Sequence, residues 1–383
     1  MGCWDQSFLD RVEGPGYGYP MRQVQPVSRR LESGPFMQAH VLIRPGLIEL
    51  REVPRPTPDA DSVVVRVKAA LTCGTDLKAF VRGHPKFPMP TPFGHEFAGD
   101  VVDVGSRVRG VREGDEIMAA PTAPCGRCYY CTREQENLCS QVMETMVHGA
   151  YAEYLKLPAH IIETNLYLKP RRLPYSEAAL LEPLACVLHA LSSVRLRPDD
   201  TVVLVGAGAF ALLHLLVLRA RGLEQIVVVT RGLQRAAHAR RLGASHVLTG
   251  GAEHAREAVL ALTGGRGADV VVECTGQLPV WEIAPSLARR GGQVILFGGC
   301  PSGSVARFDT GRLHYEQVAI PSPFHFTPRD VRQAYELLGS REFEGRALVS
   351  GEYPLEGLGD ALARLQRGEG AKFAILPSAS WAT

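Results

Sequence analysis

The sequence lacks most of what would mark a membrane, secreted or nucleic-acid-binding chain. No apolar run is as long as a membrane span, so no membrane role is expected. The formal net charge over 383 residues is only +2, which argues against the basic footprint of a nucleic-acid binder. Cysteine is sparse, with nine in the chain. No leader with a basic start, an apolar stretch and a small-residue cleavage site is recognisable. A small secreted disulfide scaffold is therefore disfavoured, and a reducing, cytoplasmic location is expected. Heptads, internal repeats and low-complexity tracts are also missing. What is present, 45% hydrophobic and 21% charged residues, fits a globular protein with two or three domains and sizeable cores.

The few cysteines are unevenly placed. Cys125, Cys128, Cys131 and Cys139 fall in PCGRCYYCTREQENLCS, a C-x2-C-x2-C-x7-C spacing. Four thiolates gathered by a tight loop form a closed tetrahedral cage suited to a structural zinc. Paired disulfides are the alternative. Cys3, Cys186, Cys274 and Cys300 read as isolated thiols. A second possible metal set, Cys73, His95, Glu96 and Glu182, is spread along the chain and mixes ligand types. A thiolate, an imidazole and one or two carboxylates can hold zinc with a position left open. Each is also an ordinary structural residue when taken alone. Two metals with different jobs are expected.

The chain divides by texture. Residues 1–36 are rich in Gly, Pro, Arg and Ser without a period and read as a flexible extension. From Met37 to about Leu180, short strand-like runs alternate with Pro, Gly and Asp, predicting a β-rich, barrel-like module. GAYAEYLKL and HIIETN read as its later strands. SEAALLEPLACVLHALSSV then reads as one amphipathic helix with Ser176 as a possible N-cap. TVVLVGAG, QIVVVT, ADVVVECTG and QVILFGG alternate with helical stretches, the pattern of a doubly wound parallel sheet. Thr327-Pro328-Arg329-Asp330 marks a helix start. KFAILP is a closing strand that returns to the first module. The fold class is α/β.

Gly206, Gly208 and Ala211 form G-x-G-x-x-A directly after a buried strand and at the start of a helix. There the turn, the close approach of a pyrophosphate and the strand–helix packing all need small residues. An unliganded glycine turn is the alternative. The second strand ends in Thr230-Arg231, with Arg235 following and no carboxylate where a ribose-binding acid would stand. Arginine grips a 2′-phosphate by paired charge-assisted hydrogen bonds, so NADP is favoured over NAD. The arginines could also be solvated surface charges.

Taken together, CGTDLK, GHEFAGDVVDVG, the cysteine loop, EPLACVLHA, VGAGAFALL, ECTG and FHFTPRDVRQAYELL resemble the zinc-dependent medium-chain dehydrogenases, and within them the polyol (sorbitol) and threonine dehydrogenase branch. The resemblance spans about Met37 to Pro377. It implies a GroES-like catalytic domain over 37–183, with the zinc lobe at about 121–142. It also implies a Rossmann domain over 184–322 and a return to the catalytic domain over 323–383. The active site is then expected in the cleft between the domains.

Cys73, His95 and Glu182 match catalytic zinc positions, and Glu96 matches an acid that binds the metal or stands just behind it. Thr75 matches a proton-passing hydroxyl. Cys274, Thr275, Gly276, Phe297 and Gly298 match segments lining the nicotinamide. Two zincs per chain and a homodimer or homotetramer are implied. So is hydride transfer between a secondary alcohol (a polyol, sugar alcohol or amino alcohol) and its ketone. The rivals are a zinc-independent reductase of activated double bonds and a non-enzymatic nucleotide-binding protein. Ala209 and Ala211 replace the family's usual proline and third glycine, and the late motif reads FHF at His325. His84, His314 and His325 are candidates to face the cleft.

Overall fold

The computed structural model describes residues 34–84 and 87–377. The expected extension therefore lies, up to residue 33, outside the described residues, as does Cys3. The first module opens with strands β1 (Phe36–Arg44), β2 (Leu47–Pro54) and β3 (Val63–Leu71). It continues with β4 (Thr91–Pro92), β5 (Phe97–Val104), β6 (Glu116–Ala119), β7 (Tyr154–Leu157) and β8 (Leu166–Leu168). β1 sits between β2 and β4 in a three-stranded sheet. The remaining strands of the module join a larger sheet in which β3 pairs antiparallel with both β5 and β7. Val63, Val65 and Val67 alternate along β3 and turn into one core with Phe97, Tyr151 and Phe373.

Two local expectations fail here. HIIETN is not a strand: Ala159–Asn165 is a helix entered from Pro158, with Ile161 and Asn165 buried four residues apart. Its β-branched pair reads as strand, but the i,i+4 burial shows which period won. SEAALLEPLACVLHALSSV forms two helices, Tyr175–Ala178 and Leu181–Ser192. The first is entered from Pro174, so Ser176 lies inside it and caps nothing.

The second module is one parallel sheet of β9 (Val202–Val205), β10 (Ile226–Thr230), β11 (His246–Thr249), β12 (Ala268–Glu273) and β13 (Ala288–Leu296), in the order β11-β10-β9-β12-β13. β9 is buried at every position, as a central strand covered on both faces must be. The helix Ala209–Ala220 follows β9 at once and packs back onto the sheet through Leu212, Leu213, Leu215 and Leu216. Its chain reverses at Gly222 (φ +82), where the sequence places the stop.

The chain then returns. Thr327 and Asp330 form the expected reciprocal cap of the helix Pro328–Gly339, which packs on Leu181–Ser192. β14 (Val349–Tyr353) and β15 (Lys372–Ile375) finish the first module's sheet in the order β14-β15-β3-β5-β6-β8, with β7 also beside β3. β15 lies against the end of β3, pairing Ala374 with Leu71 and Ile375 with Ala70. That register carries residues from the end of the chain to the position next to Cys73.

Candidate active site and metal centres

The cysteine lobe is built from turns. Two short 3-10 segments, Cys131–Arg133 and Glu136–Leu138, fold the loop so that the sulfurs of Cys125, Cys128, Cys131 and Cys139 all lie within 4.8 Å of one another. None is in a disulfide; Cys128 Sγ and Cys131 Sγ are 3.5 Å apart, far beyond the S–S bond length of about 2.0 Å. Backbone N–H groups point at the sulfurs, as from Cys125 (3.3 Å) and Gln141 (3.4 Å) to Cys139 Sγ. The amides of Cys131 and Ser140 draw the Cys128 thiol down to about 5, while burial and the neighbouring thiols push Cys131 up to about 12. Four sulfurs sharing one small volume, with amides aimed at them, suit a cation of thiolate preference.

The second donor set is buried. Cys73 precedes the helix Gly74–Arg82 as its cap, its sulfur accepting the Thr75 N–H at 3.4 Å. This helix was not foreseen, since TCGTDLK is too polar and short to show a period. His95 and Glu96 sit just ahead of β5, and one donor atom from each of Cys73, His95 and Glu96 lies within 4.8 Å of the others. Asp76, one turn into the helix, holds His95 Nδ1 at 3.0 Å. Tyr151 donates to the other Asp76 oxygen at 2.6 Å. Burial works to lower the His95 pKa, but Asp76 and Cys73 together outweigh it and raise it well above the usual imidazole range. With Nδ1 engaged, Nε2 is the nitrogen left to face Cys73. A carboxylate behind a histidine fixes its tautomer and ring orientation in this way at metal sites.

Glu96 is the most constrained member. Lys372 Nζ donates to its two oxygens at 2.7 and 2.6 Å and to the Thr72 carbonyl at 3.2 Å. Both side chains of the pair are fully buried. Burial pushes the Glu96 carboxyl up to about 7, against the opposing pull of Lys372. Glu182 groups instead with Cys186 and His325. Its Oε1 accepts from Cys186 Sγ at 3.5 Å, whereas its Oε2 is buried without any partner. Of the three candidate histidines, His325 is brought to this group; His314 is exposed and meets Tyr315 edge-on.

Part of the dinucleotide set lines a cavity of about 740 Å³. Gly206 (φ +110), Thr230, Arg231, Arg235 and Thr275 line it, and Gln366–Glu369 close the far wall from the returning chain. A side chain at Gly208 would meet no atom within 4 Å, so the backbone there is open to a ligand. Arg231 pairs with Glu253 at 2.7 Å, while Arg235 has no ion-pair partner among the described residues. Ala211 is buried in the helix packing.

Cys274, Gly276, Phe297 and Gly298 are not in this cavity's lining. Phe297 packs on Phe210 and His214, with ring centroids 4.9 Å from each. Gly298 must be glycine, because a Cβ would sit 2.2 Å from the Gly276 nitrogen. Glu273 ties the turn by accepting from the amides of Thr275 (2.6 Å) and Gly276 (3.1 Å).

Sequence reasoning missed Asp76, Tyr151, Glu273, Cys186 and Lys372. Only Lys372 left a signal: a lysine opening the otherwise apolar strand KFAIL.

Comparison with known proteins places these features. Residues 59–165 match the alcohol dehydrogenase GroES-like domain, and residues 209–340 match the zinc-binding dehydrogenase domain. A sorbitol dehydrogenase of Bacillus subtilis is 30% identical over 86% of this chain and 93% of its own length. An L-threonine 3-dehydrogenase of Bacillus licheniformis is 28% identical over 85% of this chain and 94% of its own. A provisionally assigned zinc-binding dehydrogenase from Sinorhizobium meliloti, solved with NADP bound, superposes with a TM-score of 0.81 at 28% identity, covering 89% of this chain and 99% of that one. Among the described residues no helix is long and apolar enough to cross a membrane.

Proposed function

Because this chain belongs to the zinc-dependent medium-chain dehydrogenases, in the polyol and threonine dehydrogenase branch, we propose that it interconverts a secondary alcohol bearing further hydroxyl or amino groups and the matching ketone, with NADP as the preferred hydride carrier. As a dehydrogenase it is an enzyme, and the reading as a non-enzymatic nucleotide-binding protein falls away. The observation that carries the chemistry is the buried meeting of Cys73 and His95, with the charge of His95 felt by Glu182, whose buried Oε2 has no partner. A thiolate, an imidazole oriented by Asp76 and a carboxylate oxygen lacking any donor suit a zinc that keeps a position open. When bound there, zinc supplies Lewis acidity that lowers the pKa of an alcohol hydroxyl.

The chain's own groups do the rest. Asp76 and Tyr151 fix His95, and Lys372 neutralises Glu96, so Glu96 stands behind the site while Glu182 faces it. Thr75, at the half-buried first turn of the helix after Cys73, passes the substrate proton outward. Phe297 and the Thr275–Gly276 turn form the floor under the nicotinamide. Arg235, and Arg231 on release from Glu253, take the 2′-phosphate. Residues 37–183 and 323–383 serve as the catalytic domain, and 184–322 as the nucleotide domain. The four-cysteine lobe takes a second, structural zinc. The enzyme works in the cytoplasm on a small alcohol or ketone, as a homodimer or homotetramer.

The test is a screen of polyols, amino alcohols and ketones with both nucleotides, run on the native chain and on Arg231→Asp. The native chain should prefer NADP, and the variant should lose about 10- to 100-fold of that preference, the worth of a charged hydrogen bond. An unchanged NADP-to-NAD ratio removes Arg231 from the cofactor site. No turnover of any secondary alcohol or ketone removes the substrate class.

A further inference from the structure

The helix Leu181–Ser192 carries a donor that the sequence pattern left as an ordinary thiol. Cys186 stands four residues after Glu182, and that spacing puts both side chains on one helix face. Its sulfur contacts Glu182 Oε1 at 3.5 Å, leaving Oε2 buried and bare. His325 completes the group from the loop that precedes the helix Pro328–Gly339. One donor atom from each of the three lies within 4.8 Å of the others. Ligands of one tetrahedral zinc stand about 3.3–3.8 Å apart, a separation that Cys186 Sγ and Glu182 Oε1 already have, so the three share an ion once His325 closes in on that pair.

His325 itself is held in place. It adopts φ +64, a left-handed conformation that is uncommon for a non-glycine residue and persists where the surroundings enforce it. Thr122 Oγ1 engages its Nε2 at 2.7 Å, and no hydrogen bond among the described residues occupies its Nδ1.

We propose that Glu182, Cys186 and His325 form a second metal station beside Cys73 and His95, with Glu182 common to both, so that the ion in the cleft can exchange one thiolate–imidazole pair for another. The proposal rests on reading Cys73, His95 and Glu182 as the catalytic metal site. The donor set of the second station, like that of the first, suits zinc or cobalt. An ion with two stations has a place to go when substrate enters, without leaving the protein.

The test uses the full chain reconstituted with cobalt(II), whose thiolate ligands give a charge-transfer absorption. The four-cysteine lobe takes one equivalent, and a urea midpoint close to that of the native chain reports that each variant is folded. Cys186→Ser should lower the absorbance of the other equivalent and speed its release to a chelator about tenfold. His325→Asn should speed release by a similar factor with the absorbance intact. Spectra and release rates of Cys186→Ser that superimpose on the native chain overturn the second station. Faster release with unchanged absorbance overturns it too, by reducing Cys186 to a hydrogen-bond donor that orients Glu182. Cys73→Ser distinguishes this from failure of the premise. If that variant still takes up the same equivalent with the same spectrum, Cys73 is not a metal donor at all, whatever Cys186 does.

Discussion

The cysteine lobe and the cluster around Cys73 offer similar donors by opposite routes. In the lobe, four sulfurs come from fifteen consecutive residues, Cys125 to Cys139, at a partly exposed loop. In the cluster, Cys73 and the adjacent pair His95 and Glu96 come from two distant stretches, Glu182 comes from a third, and all four are buried. The first is a local device that needs only its own turns. The second exists only when β3, β5 and the helix Leu181–Ser192 are packed together, and it depends on Asp76, Tyr151 and Lys372 behind it. A local device should fail locally, while an assembled one should lose its chemistry and weaken the fold together.

The sharpest test pairs one cysteine from each region. Cys73→Ser should lower kcat/KM by about 10³-fold, the worth of several kcal/mol of metal-supplied charge stabilisation. Cys128→Ser should cost one metal equivalent and leave kcat within about tenfold. Metal content and kcat on the two purified variants suffice, and a larger kcat loss from Cys128→Ser would reverse the assignment of roles. Next comes Lys372→Met. It leaves the Glu96 carboxylate uncompensated in a fully buried position, and removing one partner of such a pair costs about 3–5 kcal/mol. Urea unfolding should show the loss, and adding Glu96→Gln should recover much of it. A midpoint unmoved by Lys372→Met would mean that the returning strand is not tied to the site through this pair.

Acid gives the smallest of the expected effects and separates buried groups from exposed ones. Burial holds His214 down to about 4, against the hydrogen bond between its Nδ1 and the Phe210 carbonyl (2.8 Å). The unfolded chain protonates this histidine near its ordinary value of about 6.5. Its contribution to stability is therefore complete above that pH and is lost as pH falls towards 4, by about 3 kcal/mol in all. His214→Leu should flatten that part of the acid unfolding curve. The lobe should respond instead by losing metal as its thiolates protonate, with little change in global unfolding. An acid slope identical in His214→Leu and the native chain would remove His214 from this account.

The same division explains what the sequence made legible. The cysteine spacing, the Gly206 turn after β9 and the Thr327–Asp330 cap are local patterns, and each is realised as written. Ala159–Asn165 was misread because Ile161 and Ile162 favour a strand locally, while burial of Ile161 and Asn165 against the module chose the helix. Asp76, Tyr151 and Lys372 left little trace, since each acquires its role from a partner far along the chain: His95 for Asp76, Asp76 for Tyr151 and Glu96 for Lys372. Cys73, His95, Glu96 and Glu182 could be named as possible donors from their residue types but joined into one site only through likeness to a family, whereas the lobe could be argued from spacing and chemistry.

The returning strand has a consequence for biosynthesis. Chains emerge from the ribosome N-terminal end first, and domains tend to fold in that order. Glu96 belongs to the first quarter of this chain, but its counter-charge arrives only when synthesis has reached Lys372. Until then the Glu96 carboxyl has no counter-charge, and burying it favours its protonated form. The surroundings of Cys73 are thus completed only when the last strand pairs beside β3.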